Sequence, residues 1–225
     1  MPKTRLMIAL DAPDLKTARA LLEKLKGLPV FYKVGSSLFT LEGPAAVDLA
    51  HEYGGKVFLD LKLHDIPNTV KNAVENAAKL GVYSISLHLS GGAEMVRAAA
   101  GIKKRPELWG ITVLTSFDAG SFARVGFKGS INETIFNLAD LGVKSGIDGI
   151  VCSPREAAAV RKRFGPGIKV ITPGIRLGQA CDDQKRAMTP KEAARAGADF
   201  IVVGRPVLTA RDPARTAAAI LKEIE

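Results

Sequence analysis

Short apolar runs alternate along this chain with longer stretches of helical period. The runs span residues 6–11, 30–35, 56–63, 83–89, 110–115, 149–153, 168–173 and 200–205. Their length and their content of branched aliphatic residues predict buried strands. Between them, apolar residues recur at three- and four-residue spacing over 15–26, 70–80, 131–144, 154–164 and 190–196, and segment 213–224 closes the chain. That spacing predicts amphipathic helices. Eight strands, each followed by a helical stretch, predict an α/β fold with a parallel sheet. Two architectures satisfy the pattern, a closed (β/α)8 barrel (TIM barrel) and an open doubly wound sheet. The count of eight favours the barrel, for which 225 residues is compact. No Gly-x-Gly-x-x-Gly follows the first strand; Asp11-Ala12-Pro13-Asp14 stands there, which argues against a dinucleotide fold. No linker or low-complexity segment divides the chain, so residues 1–225 are expected to form a single (β/α)8 domain.

The barrel reading changes what the polar residues mean, because barrel chemistry sits at the C-terminal ends of strands. Asp11 ends the first run and Lys33 comes late in the second. Asp60 and Lys62 lie late in the third and His88 late in the fourth. Thr115 ends the fifth, Thr172-Pro173 the seventh, and Gly204-Arg205 the eighth. Charged groups at so many strand ends point to one site that handles anions. The formal charge of +9 agrees with an anionic ligand, although a lysine-rich surface accounts for most of it. The basic residues are dispersed, with Lys103-Lys104-Arg105 the densest run and no aromatic-studded stripe, so nucleic acid is not an expected partner. No apolar run approaches the roughly 20 residues of a membrane helix. The basic N-terminus lacks the apolar core and cleavage site of a signal peptide, and the expected compartment is the cytoplasm. Cys152 and Cys181 suit a reducing environment and have no zinc-type spacing; Cys152, in an apolar run, is expected to pack as a small hydrophobe.

The segment Leu59-Asp60-Leu61-Lys62-Leu63-His64-Asp65-Ile66-Pro67-Asn68-Thr69 is the most informative. Strand alternation puts Asp60 and Lys62 on one face and the three leucines on the other. The leucines then pack against helices, and the charges point into the barrel, where they need partners. An isolated Asp-x-Lys reads as an ion pair that holds the strand. Asp65 at the barrel mouth and Lys33 on the neighbouring strand extend it into alternating charges. Such an array creates a strong preformed field, which is a large catalytic lever.

Asp-x-Lys-x-x-Asp-Ile-Pro-Asn-Thr resembles the signature of bacterial orotidine 5′-monophosphate decarboxylases. The likeness extends through Leu10-Asp11, Tyr32-Lys33-Val34-Gly35, Val113-Leu114-Thr115-Ser116, Thr172-Pro173-Gly174-Ile175-Arg176, Asp183-Gln184 and Val202-Val203-Gly204-Arg205, in the family's order. The resemblance implies a catalytic tetrad of Lys33, Asp60, Lys62 and Asp65. It implies that Lys62 protonates C6 of the pyrimidine and that Asp60 lies against the substrate carboxylate. Asp11 and Lys33 are then ribose contacts, Thr115 and Pro173 pyrimidine contacts, and Gln184, Gly204 and Arg205 phosphate contacts, with Arg176 as a helper. The implied substrate is orotidine 5′-monophosphate, with no metal and no organic cofactor. The implied assembly is a homodimer in which Asp65 and Thr69 enter the neighbour's site.

Residues 115–130 read as a lid over that site, with Gly120, Gly126 and Gly129 for mobility and Arg124 and Lys128 within range of a phosphate. Strand parity turns His64 away from the charges and gives it a structural role. His88 is expected to support the barrel interior by hydrogen bonding, and His51 to lie exposed on a helix. Ser36 and Ser153 lack a matching base, against a hydrolase triad. The nearest rival is a metal-dependent enzyme of the 3-keto-gulonate 6-phosphate decarboxylase type. That group shares Asp-x-Lys-x-x-Asp but carries an acidic residue where Lys33 stands. A non-catalytic phosphate-binding barrel is disfavoured, since buried charges without a task destabilise a fold.

Overall fold

The computed structural model describes residues 4–177 and 188–225. Its strands are β1 (Arg5–Ala9), β2 (Phe31–Gly35), β3 (Val57–Leu63), β4 (Ser84–His88), β5 (Glu107–Ile111), β6 (Gly149–Val151), β7 (Lys169–Thr172) and β8 (Phe200–Val203). All pair in parallel and in chain order, and β1 closes the barrel onto β8 through Arg5↔Phe200 and Ile8↔Val203. The helices are α1 (Leu15–Leu25), α2 (Ser36–Glu42), α3 (Ala45–Glu52), α4 (Pro67–Lys79), α5 (Gly92–Ala100), α6 (Ala119–Arg124), α7 (Ile131–Ser145), α8 (Pro154–Phe164), α9 (Pro190–Arg195), α10 (Arg205–Leu208) and α11 (Pro213–Glu223). The (β/α)8 barrel expected from the alternation is the fold observed.

Strand alternation divides the apolar residues into two layers. Ile8, Val34, Leu59, Leu87, Ile150, Val170 and Ile201 point outward and bury against helix residues such as Leu22, Val47, Val74, Val96, Val160 and Ile220. Each such side chain contributes about 1.5–3 kcal/mol on full burial. Met7, Phe58, Trp109, Ile111, Val151, Ile171, Phe200 and Val202 point inward and fill the barrel. The inner layer is aromatic toward the N-terminal ends of the strands, where Trp109 packs 4.5 Å from Phe58 and 5.0 Å from Phe200, centroid to centroid. Ion pairs of Lys169 with Glu107, Arg161 with Asp199 and Arg105 with Asp148 ring that same end. The floor is therefore closed, and the strands deliver their polar residues to the opposite mouth.

Helix boundaries follow local capping. The α8, α9 and α11 helices start at a proline behind a capping side chain: Ser153, Thr189 and Asp212 accept from Arg155 N, Glu192 N and Arg215 N. These are the starts the sequence announces. The α4 helix starts at Pro67, three residues before the expected position, behind Ile66, which has no capping side chain. The expected helix ranges omit α2, α5, α6 and α10, which are short or begin at glycine, and α3, of which only His51 is expected on a helix.

The fifth strand is displaced from its expected place at 110–115. It occupies Glu107–Ile111, because its ladder must match Ser84↔Glu107 on β4 and Trp109↔Gly149 on β6. The apolar run Val113-Leu114-Thr115 continues beyond the ladder, so Thr115 follows the strand rather than ending it. Asp11 likewise stands two residues past β1. Gly204 and Arg205 lie past β8, as N-cap and first residue of α10. Cys152 is buried as expected, and Cys181 lies outside the described residues. His51, expected exposed, is half-buried in α3.

Candidate active site

At the C-terminal mouth, three neighbouring strand ends bring opposite charges together. Lys33 Nζ lies 3.0 Å from Asp11 Oδ1 and 3.8 Å from Asp60 Oδ2. Lys62 Nζ lies 2.8 Å from the same Asp60 oxygen. The side chain of Asp60 is 10% exposed and that of Lys33 13%, against 38% for Lys62. Asp60 is thus the buried hub and Lys62 the cation that opens onto the mouth. Burial pushes the Asp60 carboxyl up, but Lys33 and Lys62, with hydrogen bonds from Lys62 and Ser86, hold it below the ordinary carboxylate range. Asp60 is therefore ionised at neutral pH, with a cation on either side.

The expected alternation holds in outcome, although the strand is not regular. Leu59 is buried in the outer layer, and Leu61 and Leu63 pack against it half-buried. The pairing of β3 with β4 shifts between Leu59 and Leu63. Lys62 takes φ +51°, and among the described residues it is the single non-glycine residue with positive φ. Such a backbone costs on the order of 1–3 kcal/mol and persists only when its surroundings hold it. The β3 strand stops at Leu63, and the ring of His64 sits 5.4 Å from that of His88. His88 makes this ring contact and, among the described residues, not the expected hydrogen bond. Burial, then the neighbouring His64 and Lys62, lower its pKa.

A cavity of about 190 Å³ opens beside these charges. Lys33, Asp60, Lys62 and Thr115 are its polar lining, and Phe58, Ile111, Val151, Ile171, Pro173 and Val202 its apolar lining. Asp11 and Gly204 meet at the rim, where the Cβ direction of Gly204 points to within 3.6 Å of Asp11 Oδ2. Arg205 is exposed. Arg176 is buried, and its guanidinium donates to the carbonyl of Ile175 at 2.9 Å. Gln184 lies outside the described residues. Asp65 and Thr69 are exposed. The Asp65 carboxylate accepts from Ile66 N at 2.7 Å and, among the described residues, pairs with no cation. Within one chain, three members of the expected tetrad are assembled and the fourth is not.

Two positions had no assigned role in the sequence reading. Gly35 carries the close approach of the charges, since a Cβ there would stand 2.8 Å from Lys33 Nζ and 3.2 Å from Asp11 Oδ1. The signal was Gly35 itself, two residues after Lys33. Ser86, buried on β4, donates to Asp60 Oδ1 at 2.8 Å and accepts from Lys62 N at 2.8 Å. A serine in an apolar strand carries no such signal.

The segment expected to form a lid is partly helical. Asp118 and Ser121 cap α6 reciprocally. Phe117, Phe122 and Phe127 pack with Val113 and Ile135, the rings of Phe122 and Phe127 stacking at 4.7 Å. Among the described residues no three His, Cys, Asp or Glu side chains are grouped to hold a metal, and no helix is long and apolar enough to cross a membrane.

Known proteins resemble this chain over nearly its whole length. The protein is 48% identical to orotidine 5′-phosphate decarboxylase of Halorhodospira halophila, covering 98% of this chain and 95% of that one. A crystal structure of orotidine 5′-phosphate decarboxylase from Lactobacillus acidophilus superposes with a TM-score of 0.87 at 34% identity, over 99% of both chains. One from Pyrococcus horikoshii does so with 0.80 at 26% identity, over 97% of this chain and 98% of that one. A family-wide sequence model matches residues 4–220, and the chain belongs to the Orotidine 5′-phosphate decarboxylase / HUMPS family.

Proposed function

We propose that this protein converts orotidine 5′-monophosphate to uridine 5′-monophosphate and CO2 in pyrimidine biosynthesis, with no metal or organic cofactor. The observation that carries the proposal is the Lys33–Asp60–Lys62 array at the edge of a largely apolar cavity. The bond from C6 to the carboxyl carbon breaks, and its electron pair stays on C6 in the ring plane, where the π system cannot take it up. The Lys62 ammonium lies against that carbon, stabilises the charge and donates a proton to it. Lys62 then recovers a proton from solvent. Asp60 faces the departing carboxylate. Lys33 and Asp11, already 3.0 Å apart, hold ribose hydroxyls.

Thr115 and Pro173, on the cavity wall, contact the pyrimidine. Gln184, Gly204 and Arg205 hold the phosphate, with help from Arg176 once its guanidinium turns from the Ile175 carbonyl. Binding energy gathered at the phosphate then closes residues 115–130 over the site. Asp65 and Thr69 complete the neighbouring subunit's site in a homodimer. The 67% exposure of Ile66, beside Asp65, supports packing of this loop against a second copy. The compartment this reading assigns is the cytoplasm.

The paired Lys33 also favours this reading over a metal-dependent sugar-phosphate enzyme. Its ammonium stands beside Asp60, where it repels a divalent ion. The deciding experiment follows loss of orotidylate absorbance with and without chelator. Equal rates are expected. Activity that chelator abolishes and Mg²⁺ restores contradicts the cofactor-free mechanism, and no turnover in either condition overturns the proposal.

A further inference from the structure

We infer that Ser86 is a positioning residue for the decarboxylation, holding Asp60 and the backbone of Lys62 in register through one hydroxyl. The inference rests on the roles just proposed for Asp60 and Lys62. The β3–β4 ladder runs Phe58↔Ser84 and Leu59↔Ile85 and resumes at Leu63↔Leu87. Residues 60–62 of β3 therefore stand against Ser86 alone. A bulge of this kind re-aims side chains at the cost of ladder hydrogen bonds. Ser86 supplies the missing partner: its Oγ accepts from Lys62 N at 2.8 Å.

The same hydroxyl donates to Asp60 Oδ1 at 2.8 Å, which leaves Asp60 Oδ2 for the two ammonium groups. Ser86 Oγ thus uses its donor on the buried carboxylate and an acceptor site on the amide of the left-handed residue. Ser84, on the same face of β4, has a buried hydroxyl with no hydrogen-bond partner among the described residues. A buried serine on this strand is therefore not engaged by default, and Ser86 is engaged because the bulge stands opposite it.

Loss of the hydroxyl leaves the part-buried Lys62 amide without this partner at a strained residue and frees Asp60 Oδ1. The Lys62 ammonium then loses its fixed aim, while the ribose and phosphate contacts remain. The effect belongs in kcat rather than KM. The charged or titratable groups that face Asp60 are Lys33 from β2, Lys62 from its own strand and His88 from β4, with Asp11 reaching it through Lys33. Removing the Ser86 hydrogen bond raises the carboxyl's affinity for a proton, so the acid limb of the kcat profile moves to higher pH.

The test compares wild type, Ser86→Ala and Ser86→Cys in kcat, KM, the pH profile of kcat and the melting temperature. The thiol nearly preserves side-chain volume but hydrogen-bonds weakly, so Ser86→Cys decides the matter if Ser86→Ala does not fold. The expected result is a fall in kcat of about 10- to 100-fold, the factor for losing one hydrogen bond to a charged group. KM stays within about 3-fold, which is under 1 kcal/mol, and the acid limb moves up. Wild-type kcat in a folded Ser86→Cys protein overturns the inference. So does a loss of kcat with an unmoved acid limb, which marks a packing role only. A wild type without decarboxylase activity overturns the parent reading instead.

Discussion

Replacing Gly35 by alanine displaces the Lys33 ammonium and, less severely, crowds the Asp11 carboxylate. Gly35 has φ −90° and ψ 171°, which alanine adopts without strain, so in the folded protein the substitution acts by crowding its neighbours. The new Cβ would stand 2.8 Å from Lys33 Nζ, against an ordinary contact of 3.4–4 Å, so the ammonium must retreat by about 0.6 Å (3.4 − 2.8) to 1.2 Å (4.0 − 2.8). Lys33 is the flexible partner and will move. Its 3.0 Å contact with Asp11 and its 3.8 Å contact with Asp60 both suffer. A misplacement of about 1 Å at a reacting centre costs on the order of 10²-fold in rate. Folding stability should change little. Alanine reduces unfolded-chain entropy by about 0.4–1 kcal/mol, which offsets part of the weakened ion pair. The assay is kcat/KM from orotidylate absorbance, with thermal melting in parallel. Wild-type kcat/KM would refute the reasoning. So would a fall in melting temperature of more than about 10 °C, well beyond the few degrees per kcal/mol expected at this size, because the substitution would then be damaging the fold.

Lys62→Ala should abolish nearly all turnover while the protein stays folded, because it removes both the cation at C6 and the proton donor; the loss should exceed the ~10²–10⁴-fold typical of one general acid, and a mutant keeping a tenth of the wild-type rate contradicts the role. Arg205→Ala should weaken use of the nucleotide strongly, since a charge-assisted hydrogen bond is lost, and the deficit should shrink on the nucleoside without phosphate; equal deficits on both remove Arg205 from the phosphate site. Mixing inactive Lys62→Ala with inactive Asp65→Ala should restore activity to about half the sites of each heterodimer, because one site collects both changes and the other neither. If subunits exchange and activity stays absent, Asp65 works within its own chain.

Much of this was legible along the chain because the signals are local. The starts of α8, α9 and α11 are written in Ser153-Pro154, Thr189-Pro190 and Asp212-Pro213, each a cap followed by a proline. The pairing of Asp60 with Lys62 follows from a period of two. Elsewhere the local signals conflict with what the tertiary fold requires. Val113-Leu114-Thr115 has strand composition, yet its apolar side chains serve the cavity wall and the packing beneath α6. Gly92 concealed the start of α5. The orientation of the buried Arg176, whose guanidinium donates to the Ile175 carbonyl, likewise has no pattern along the chain.

The eight strands, six of the helices and the family's charged residues are written along the chain, since periodicity, capping and residue type act within a few positions. Tertiary structure alone decided the register of β5, the bulge that puts Lys62 at φ +51°, the space at Gly35 and the engagement of Ser86. Closing eight strands into a ring is a condition on all of them together. It sets which residue of one strand faces which residue of the next, and a distance across strands has no signature along a single one.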